Sequence, residues 1–192
     1  MAAPSERRSD IIEAAYGYAL TNGLAGASLR PVAHAVGSST GVLRFLFGSK
    51  DGLVAALLER ARRDELAALA AIPADADLAT VARTVWGWLC DPGHRGLLRL
   101  WTESYATSLT AEAGPWSGFA RATVRDWLAV LARAQPPAHR NTAAGRAERT
   151  AVLAVLRGAM LDLLATGERA RTTRSVMAFL DAITPPPSRG NG

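Results

Sequence analysis

The sequence contains a single cysteine, Cys90, and no long uninterrupted apolar run. One cysteine cannot form a disulfide within the chain and supplies no metal-ligand spacing. The longest apolar segment, residues 150–166, contains Arg157 and Asp162, whereas a membrane span needs about 18 unbroken apolar residues. The first ten residues also lack the apolar core of a signal peptide. We therefore expect a cytoplasmic protein that has no disulfide, no metal, no cofactor and no membrane partner.

Lysine is almost absent, since one of the 22 basic residues is Lys50 and all the others are arginine. The formal net charge of +5 indicates nucleic acid or another acidic surface as a partner, although the excess is small for 192 residues. The chain has 192 residues, of which 49% are hydrophobic, and this is enough to bury a substantial core. These values exclude a disordered chain and a fibrous protein.

Strand patterns are scarce as well. Alternating β-branched runs are few, whereas Ala, Leu, Arg and Glu dominate segments that end at Gly or Pro. The sequence therefore predicts an all-α protein. The predicted helices cover residues 6–22, 28–36, 40–47, 50–72, 78–90, 92–112, 115–134, 143–166 and 173–183, and the tail 185–192 is predicted to be disordered.

Residues 28–50 have the spacing of a helix-turn-helix unit, in which two short helices are joined by a tight turn. Ser28 and Ser39 stand where the N-caps of these two helices are expected. A helical wheel of residues 40–47 separates a core side from an outward side. The core side carries Leu43 and Phe47, and the outward side, which is the candidate DNA-contacting surface, carries Gly41, Arg44 and Phe45.

The chemistry of the outward side suits DNA. Arg44 can form a bidentate contact to guanine or hold a phosphate, and Gly41 allows the backbone to approach the groove closely. Phe45 is unusual on an exposed surface, and contact with a thymine methyl group would explain it. Two alternatives stay open, namely that Phe45 packs on a neighbouring helix and that Arg44 is a solvated surface charge.

The helix N-termini offer candidate phosphate contacts. A hydroxyl, free backbone amides and the helix dipole together favour a phosphate at Ser28 and at Ser39. Lys50 begins the next predicted helix, where a single ammonium group suits a phosphate. The alternative is that each serine is an N-cap with no further role.

A set of residues between Arg8 and Leu58 matches a known pattern: Ile11, Ala14, Ala15, Gly23, Ser28, Leu29, Val32, Ala33, Gly37, Ser39, Gly41, Leu43, Phe47, Lys50 and Leu53. The stretch L-x-x-x-F-x-x-K-x-x-L is its most diagnostic part. With these residues the segment resembles the N-terminal domain of the TetR family of transcriptional regulators. In that family three helices form the DNA-binding unit and a fourth connects it to the rest of the chain.

The resemblance implies backbone or base contacts to DNA at Ser28, Arg30, Thr40, Arg44 and Lys50. Two positions depart from the family pattern, since Arg44 stands where the family usually has Tyr and Ser38 where it usually has Val. The arginine implies an operator with a guanine at the matching position. The serine removes a core contact at the turn.

The same resemblance implies a helix-turn-helix DNA-binding domain over residues 1–52 and a helical domain for ligand binding and dimerisation over residues 53–184. The implied function is that of a dimeric, ligand-responsive repressor, which a small apolar or amphipathic effector releases from a pseudo-palindromic operator. The implied partners are a double-stranded DNA operator, a small-molecule effector and a second copy of the chain.

Tryptophan is concentrated in one part of the sequence, since four of the five tryptophans lie within residues 86–116. Aromatic side chains between helices are the usual lining of a small-molecule site. The candidate ligand-binding residues are Trp86, Trp101, Thr102, Tyr105, Trp116, Phe119 and Asp126, with Glu103 as a further polar candidate. The alternative, that the aromatic residues are ordinary core, stays open.

Small side chains recur at helical spacing within residues 143–166, at Ala147, Ala151, Ala154 and Gly158. A stripe of this kind permits close approach of another helix. We expect residues 143–166 and 173–183 of two copies to form a four-helix seam in a homodimer. An intramolecular helical hairpin in a monomer is the alternative.

The sequence has no pattern of catalytic residues. Its three histidines, His34, His94 and His139, lie far apart and have no nucleophile or carboxylate partner at motif spacing. The sequence therefore predicts a regulator and not an enzyme. A helical enzyme and a non-specific architectural DNA-binding protein are the alternatives, and the modest, evenly spread charge disfavours the second.

Overall fold

The computed structural model describes residues 4–24, 28–70 and 76–183, and the regular structure of these residues is helical throughout. Among them no strand is present, which confirms the all-α prediction. The predicted disordered tail, residues 185–192, lies outside the described residues. The α-helices are α1 (Pro4–Asn22), α2 (Leu29–Ala35), α3 (Thr40–Phe47), α4 (Lys50–Ala70), α5 (Leu78–Leu89), α6 (Arg95–Thr110), α7 (Phe119–Arg133), α8 (Pro137–Arg140), α9 (Ala143–Thr166) and α10 (Arg169–Ile183), and a short 3-10 helix, Pro92–His94, precedes α6.

Two of the predicted helix starts are wrong. The helix predicted over residues 115–134 begins at Phe119, since Gly114 and Gly118 adopt φ values of +84° and +76° in a turn. The helix predicted over residues 173–183 begins at Arg169, shortly after the left-handed C-cap of α9. The connection before α7 is therefore longer than the sequence predicts, and the connection before α10 is shorter.

The short helix α8 is not among the predicted helices. Pro136 occupies its N-cap position and Pro137 its first turn, where the missing amide and fixed φ of proline are tolerated. Two adjacent prolines at a helix start therefore look like an irregular loop in the sequence. A proline also begins the short 3-10 helix Pro92–His94, which replaces the first turn of the helix predicted over residues 92–112.

The described helices fall into two compact units. The first unit contains α1 to α4, α6 and the first turn and a half of α7, and the second contains α5, the rest of α7, and α8 to α10. Helix α4 continues without a break through residues 52 and 53, where the predicted domain boundary falls. The division into residues 1–52 and 53–184 stays a prediction.

The core of the first unit joins the three N-terminal helices to α4 and α6. Ala15 of α1, Leu43 of α3 and Leu57 of α4 are completely buried in it. Leu100 of α6 belongs to the same cluster and is 1% exposed. Burial of a leucine side chain contributes about 1.5–3 kcal/mol, so α6 is a structural part of this unit.

The second unit is built around α5, α9 and α10, which pack on one another. Val152 and Leu156 of α9 and Val176 and Leu180 of α10 are buried. Trp86 of α5 is buried among them and donates a hydrogen bond from Nε1 to Oγ1 of Thr173 at 3.1 Å. In the part of the chain that is described, no helix has the length and apolar character needed to cross a membrane.

Candidate functional site

The turn between α2 and α3 has the local structure that its sequence dictates. The Ser39 hydroxyl accepts a hydrogen bond from the backbone amide of Val42 at 3.2 Å, which confirms its N-cap role in α3. Ser28 occupies the N-cap position of α2, but its hydroxyl makes no capping hydrogen bond. Gly37 closes α2 with a φ of +63°, a conformation that glycine adopts without strain.

The start of α4 is capped in the same way. The Ser49 hydroxyl accepts a hydrogen bond from the backbone amide of Gly52 at 3.0 Å. Gly48 precedes it with a φ of +75°. The sharp turn at Gly48 and the serine cap together place Lys50 at the first position of α4, directly after α3.

Helix α3 separates a core side from an exposed side, as its sequence predicts. Leu43 and Phe47 are buried against Val32 and Ala33 of α2. The predicted DNA-contacting residues are all exposed: Ser28, Arg30, Ser39, Thr40, Gly41, Arg44, Phe45 and Lys50. Their contacts with DNA stay a prediction.

Phe45 is the most exposed large apolar side chain among the described residues, with 85% of its surface accessible. This exposure is incompatible with packing on a neighbouring helix of the chain, so that alternative is wrong. An aromatic ring left in water costs free energy that its burial against a partner would recover. The exposed ring is therefore available for contact with a binding partner.

Ser38 departs from the pattern at a cost. Its backbone amide donates to the carbonyl oxygen of Ala33 at 2.8 Å, so the backbone closes the turn. Its hydroxyl oxygen is buried and has no hydrogen-bond partner. A buried polar group without a partner costs about 1–3 kcal/mol, which the usual valine would avoid.

A cluster of polar side chains, which the sequence does not reveal, connects helix α1 with helix α4. The Tyr16 hydroxyl donates to Asp64 Oδ2 at 2.9 Å, and Arg60 Nε pairs with Glu13 Oε1 at 2.6 Å. Arg60 also pairs with Asp64, and its guanidinium carbon lies 4.7 Å from the centroid of the Tyr16 ring. Burial and the hydrogen bond to Asp64 raise the pKa of Tyr16. The only sequence signal is the i,i+4 spacing of Arg60 and Asp64.

Helix α6 is attached to the end of α1 by a carboxylate. Both oxygens of Glu103 accept hydrogen bonds from the backbone amide of Leu24, at 2.9 and 3.1 Å. A Cβ atom at Gly96 would lie 2.8 Å from the carbonyl oxygen of Leu20, so the two helices approach closely there. Glu103, predicted as a polar ligand contact, is therefore engaged by the backbone that follows α1.

The predicted ligand-binding residues are divided between the two units. In the first unit, Trp101 and Tyr105 stack with ring centroids 5.0 Å apart, and Thr102 Oγ1 donates to the carbonyl oxygen of Leu98 at 2.8 Å. Trp116, which packs against the core of this unit, and Phe119 are also part-buried there.

The other two candidates belong to the second unit. Trp86 is 1% exposed and bonded to Thr173, as expected of a core side chain. Asp126 forms an ion pair with its chain neighbour Arg125, with 3.6 Å between Asp126 Oδ1 and Arg125 Nε. Ligand binding by any of the seven stays a prediction.

Part of the predicted dimer surface is used within the chain. Leu153, Leu156 and Met160 of α9 are buried in the second unit and are not available to a partner. The stripe of small residues is exposed at Ala147, Ala151, Ala154 and Gly158. Leu161, on the same helix, is 47% exposed.

No protein-family profile and no curated protein matches the chain. Many solved structures match its fold. A member of the TetR family from Streptomyces coelicolor A3 is 28% identical, with a TM-score of 0.73 over 94% of this chain and 99% of the other. The multidrug binding protein EbrR, complexed with proflavin, is 27% identical, with a TM-score of 0.64 over 91% of this chain and 99% of the other. A TetR-family transcriptional regulator from Agrobacterium tumefaciens, 23% identical, shares the fold with a TM-score of 0.71 over 95% of this chain and 100% of the other.

Proposed function

We propose that the chain, a TetR-family transcriptional regulator similar in fold and 28% identical to a family member from Streptomyces coelicolor A3, is a dimeric, ligand-responsive repressor that a small apolar or amphipathic effector releases from a pseudo-palindromic operator. The observation that carries the proposal is the exposed side of α3, which presents Gly41, Arg44 and the 85% exposed Phe45. We further propose that the protein acts in the cytoplasm and is not an enzyme.

In the proposed complex, α3 lies in the major groove. Arg44 contacts guanine and Phe45 a thymine methyl group, while Gly41 allows close approach. Ser39 at the N-terminus of α3 and Lys50 at the N-terminus of α4 contact phosphates that fix the orientation of α3. Two such helices in a dimer would engage half-sites about 34–36 Å apart.

We expect Arg44→Ala to lose about 1–3 kcal/mol of binding free energy on an operator selected from random DNA and to relax the preference at one base pair. Lys50→Ala is the matched comparison, because loss of a phosphate contact should weaken binding to all sequences alike and reduce the salt slope by about 1. Competition binding with operator variants measures both effects. Equal binding of selected and random duplexes by the unaltered chain would contradict the proposal.

The proposed effector site is the aromatic group on α6, with Trp101 stacked on Tyr105 and Thr102 beside them. The proflavin complex of EbrR, a protein of similar fold and 27% identity, supports a planar or amphipathic molecule as the effector. Aromatic pairs contribute about 0.5–1.5 kcal/mol beyond the area they bury. A planar effector would gain comparable stacking from either ring.

We expect Trp101→Ala to raise the proflavin dissociation constant about tenfold, which corresponds to about 1.4 kcal/mol of lost stacking. Operator affinity without effector should change little. Because proflavin also binds duplex DNA, the titration is performed on the protein alone and followed by proflavin fluorescence. Trp88→Phe, which alters a half-buried tryptophan outside the proposed site, is the control. If Trp101→Ala binds proflavin as tightly as the unaltered chain, the aromatic side chains on α6 are ordinary core residues and not an effector site.

We propose that α9 and α10 of two copies form the dimer seam. The exposed stripe at Ala147, Ala151, Ala154 and Gly158 allows a partner helix to approach closely, and the exposed Leu161 supplies apolar area at its edge. A pseudo-palindromic operator requires the two-fold symmetry that such a seam provides. If sedimentation equilibrium shows that the protein is a monomer at micromolar concentration, the proposed seam is wrong.

A further inference from the structure

Arg8, near the start of α1, contacts the end of α3. Its guanidinium carbon lies 5.1 Å from the centroid of the Phe47 ring, at a position over the ring. Phe47 is the last residue of α3, and Lys50 begins α4 three residues later. Arg8 therefore brings a third cation of the first unit, besides Arg44 and Lys50, to α3 and its junction with α4.

The contact holds the Arg8 side chain without using up its hydrogen-bonding capacity. Phe47 is 9% exposed and packed in the core of the first unit, so its ring is a fixed surface. A guanidinium that lies over an aromatic ring is attracted through its face, by about 0.5–1 kcal/mol at an exposed site. The N–H groups around its edge stay available for an acceptor such as a phosphate.

The position of Arg8 favours a phosphate over a base. Phe47 lies on the core side of α3, whereas the candidate base-contacting residues Arg44 and Phe45 lie on the exposed side. Arg8 is itself exposed and belongs to a helix outside the α2–α3 pair. A cation at the flank of the helix that enters the groove meets the sugar-phosphate backbone.

We propose that Arg8 is a further phosphate contact of the DNA-binding surface, positioned by its stacking on Phe47. This inference rests on the DNA-binding function proposed above. It adds α1 to the elements that touch DNA and gives Phe47 a second role, as the support for a cation in addition to its place in the core. The contact is independent of sequence, so it contributes to all duplexes equally.

The test measures how duplex affinity depends on salt. Each phosphate contact contributes about −0.9 to the slope of log K against log salt concentration for B-form DNA. The probe is a fluorescein-labelled 30-base-pair duplex of random sequence, titrated by anisotropy between about 50 and 200 mM KCl. Arg8→Gln is expected to reduce the slope by about 0.9 for each DNA-bound subunit. Arg8→Lys keeps the charge and should preserve the slope.

Arg63→Gln is the matched control, because Arg63 is an exposed arginine of α4 in the same unit, distant in sequence from the α3–α4 junction. It removes the same charge and should leave the slope unchanged. Phe47→Leu keeps an apolar core side chain but removes the ring, and should reduce the effect of Arg8→Gln when the two are combined. This coupling separates a stacked arginine from a merely nearby charge.

Two failures are distinguishable. If the unaltered chain binds neither random nor selected duplexes, the proposed function itself is wrong. If it binds and Arg8→Gln has the slope of the unaltered chain, Arg8 makes no phosphate contact and only this inference is wrong. A lowered melting temperature of Arg8→Gln with an unchanged slope would likewise overturn it, because Arg8 would then only cover Phe47.

Discussion

Gly52→Ala is expected to destabilise the first unit by about 3 kcal/mol and to abolish duplex binding. A Cβ atom at this position would overlap the carbonyl oxygen of Phe47 and lie 3.1 Å from its carbonyl carbon. Both are backbone atoms, so relief requires the α3–α4 connection to move and cannot come from a side-chain rotation. Overpacking of this kind typically costs about 1–3 kcal/mol, and a clash with backbone belongs at the upper end.

The consequence for binding follows from where the clash lies. The Gly52 amide donates to Ser49 Oγ, so displacement of Gly52 also disturbs the cap of α4 and the position of Lys50. Urea unfolding measures the change in the free energy of unfolding. Fluorescence anisotropy with a labelled duplex measures the loss of DNA binding.

Gly17→Ala is the matched control for this substitution. Apart from its chain neighbours and the nearby backbone of its own helix, no atom lies within 4 Å of a Cβ atom at Gly17, which lies inside α1. Alanine there should stabilise the protein by about 0.5–1 kcal/mol, through helix propensity alone. A Gly52→Ala protein as stable as the unaltered chain would show that the α3–α4 connection yields more easily than its packing indicates.

Trp86→Ala is expected to destabilise the second unit by about 3–5 kcal/mol. The side chain is 1% exposed, the largest of the fully buried side chains among the described residues, and its removal leaves a cavity between α5 and α10. The Thr173 hydroxyl also loses the indole N–H that donates to it. Thermal and urea unfolding measure the loss.

Trp86→Phe separates the two contributions. It keeps an aromatic ring in the core and removes the hydrogen bond to Thr173, so a loss of about 1–2 kcal/mol is expected from the hydrogen bond and the reduced volume. Its proflavin affinity also decides the role of Trp86. If proflavin binding is unchanged while stability falls, Trp86 is a core residue, and if binding is lost at unchanged stability the core interpretation is wrong.

The local parts of the fold could be predicted because their causes lie close together in the sequence. Ser39 caps α3 through an amide three residues later, and Gly37 and Gly48 end helices through their own positive φ. The alternation of buried and exposed positions on α3 follows from the helical period alone, which is why Leu43 is buried and Phe45 exposed.

The long-range parts could not be predicted for the opposite reason. Glu103 and Leu24 are 79 residues apart, and no local pattern marks a carboxylate that binds a distant backbone amide. The sequence therefore indicates only that Glu103 is a polar candidate for a ligand site. Arg8 and Phe47 likewise meet only after α1 has packed against the other helices of its unit, so their contact carries no signal in the sequence.

The attachment of α6 to the N-terminal helices determines how regulators of this kind can be recombined. A hybrid joined at residues 52 and 53 would take its α1, α2 and α3 from one parent and its α6 from the other. Leu100 would then have to fill a foreign core, and Glu103 would have to meet a foreign backbone amide. A functional exchange of operator specificity therefore has to carry α6 along with the helices that it supports, or to confine itself to the exposed side of α3.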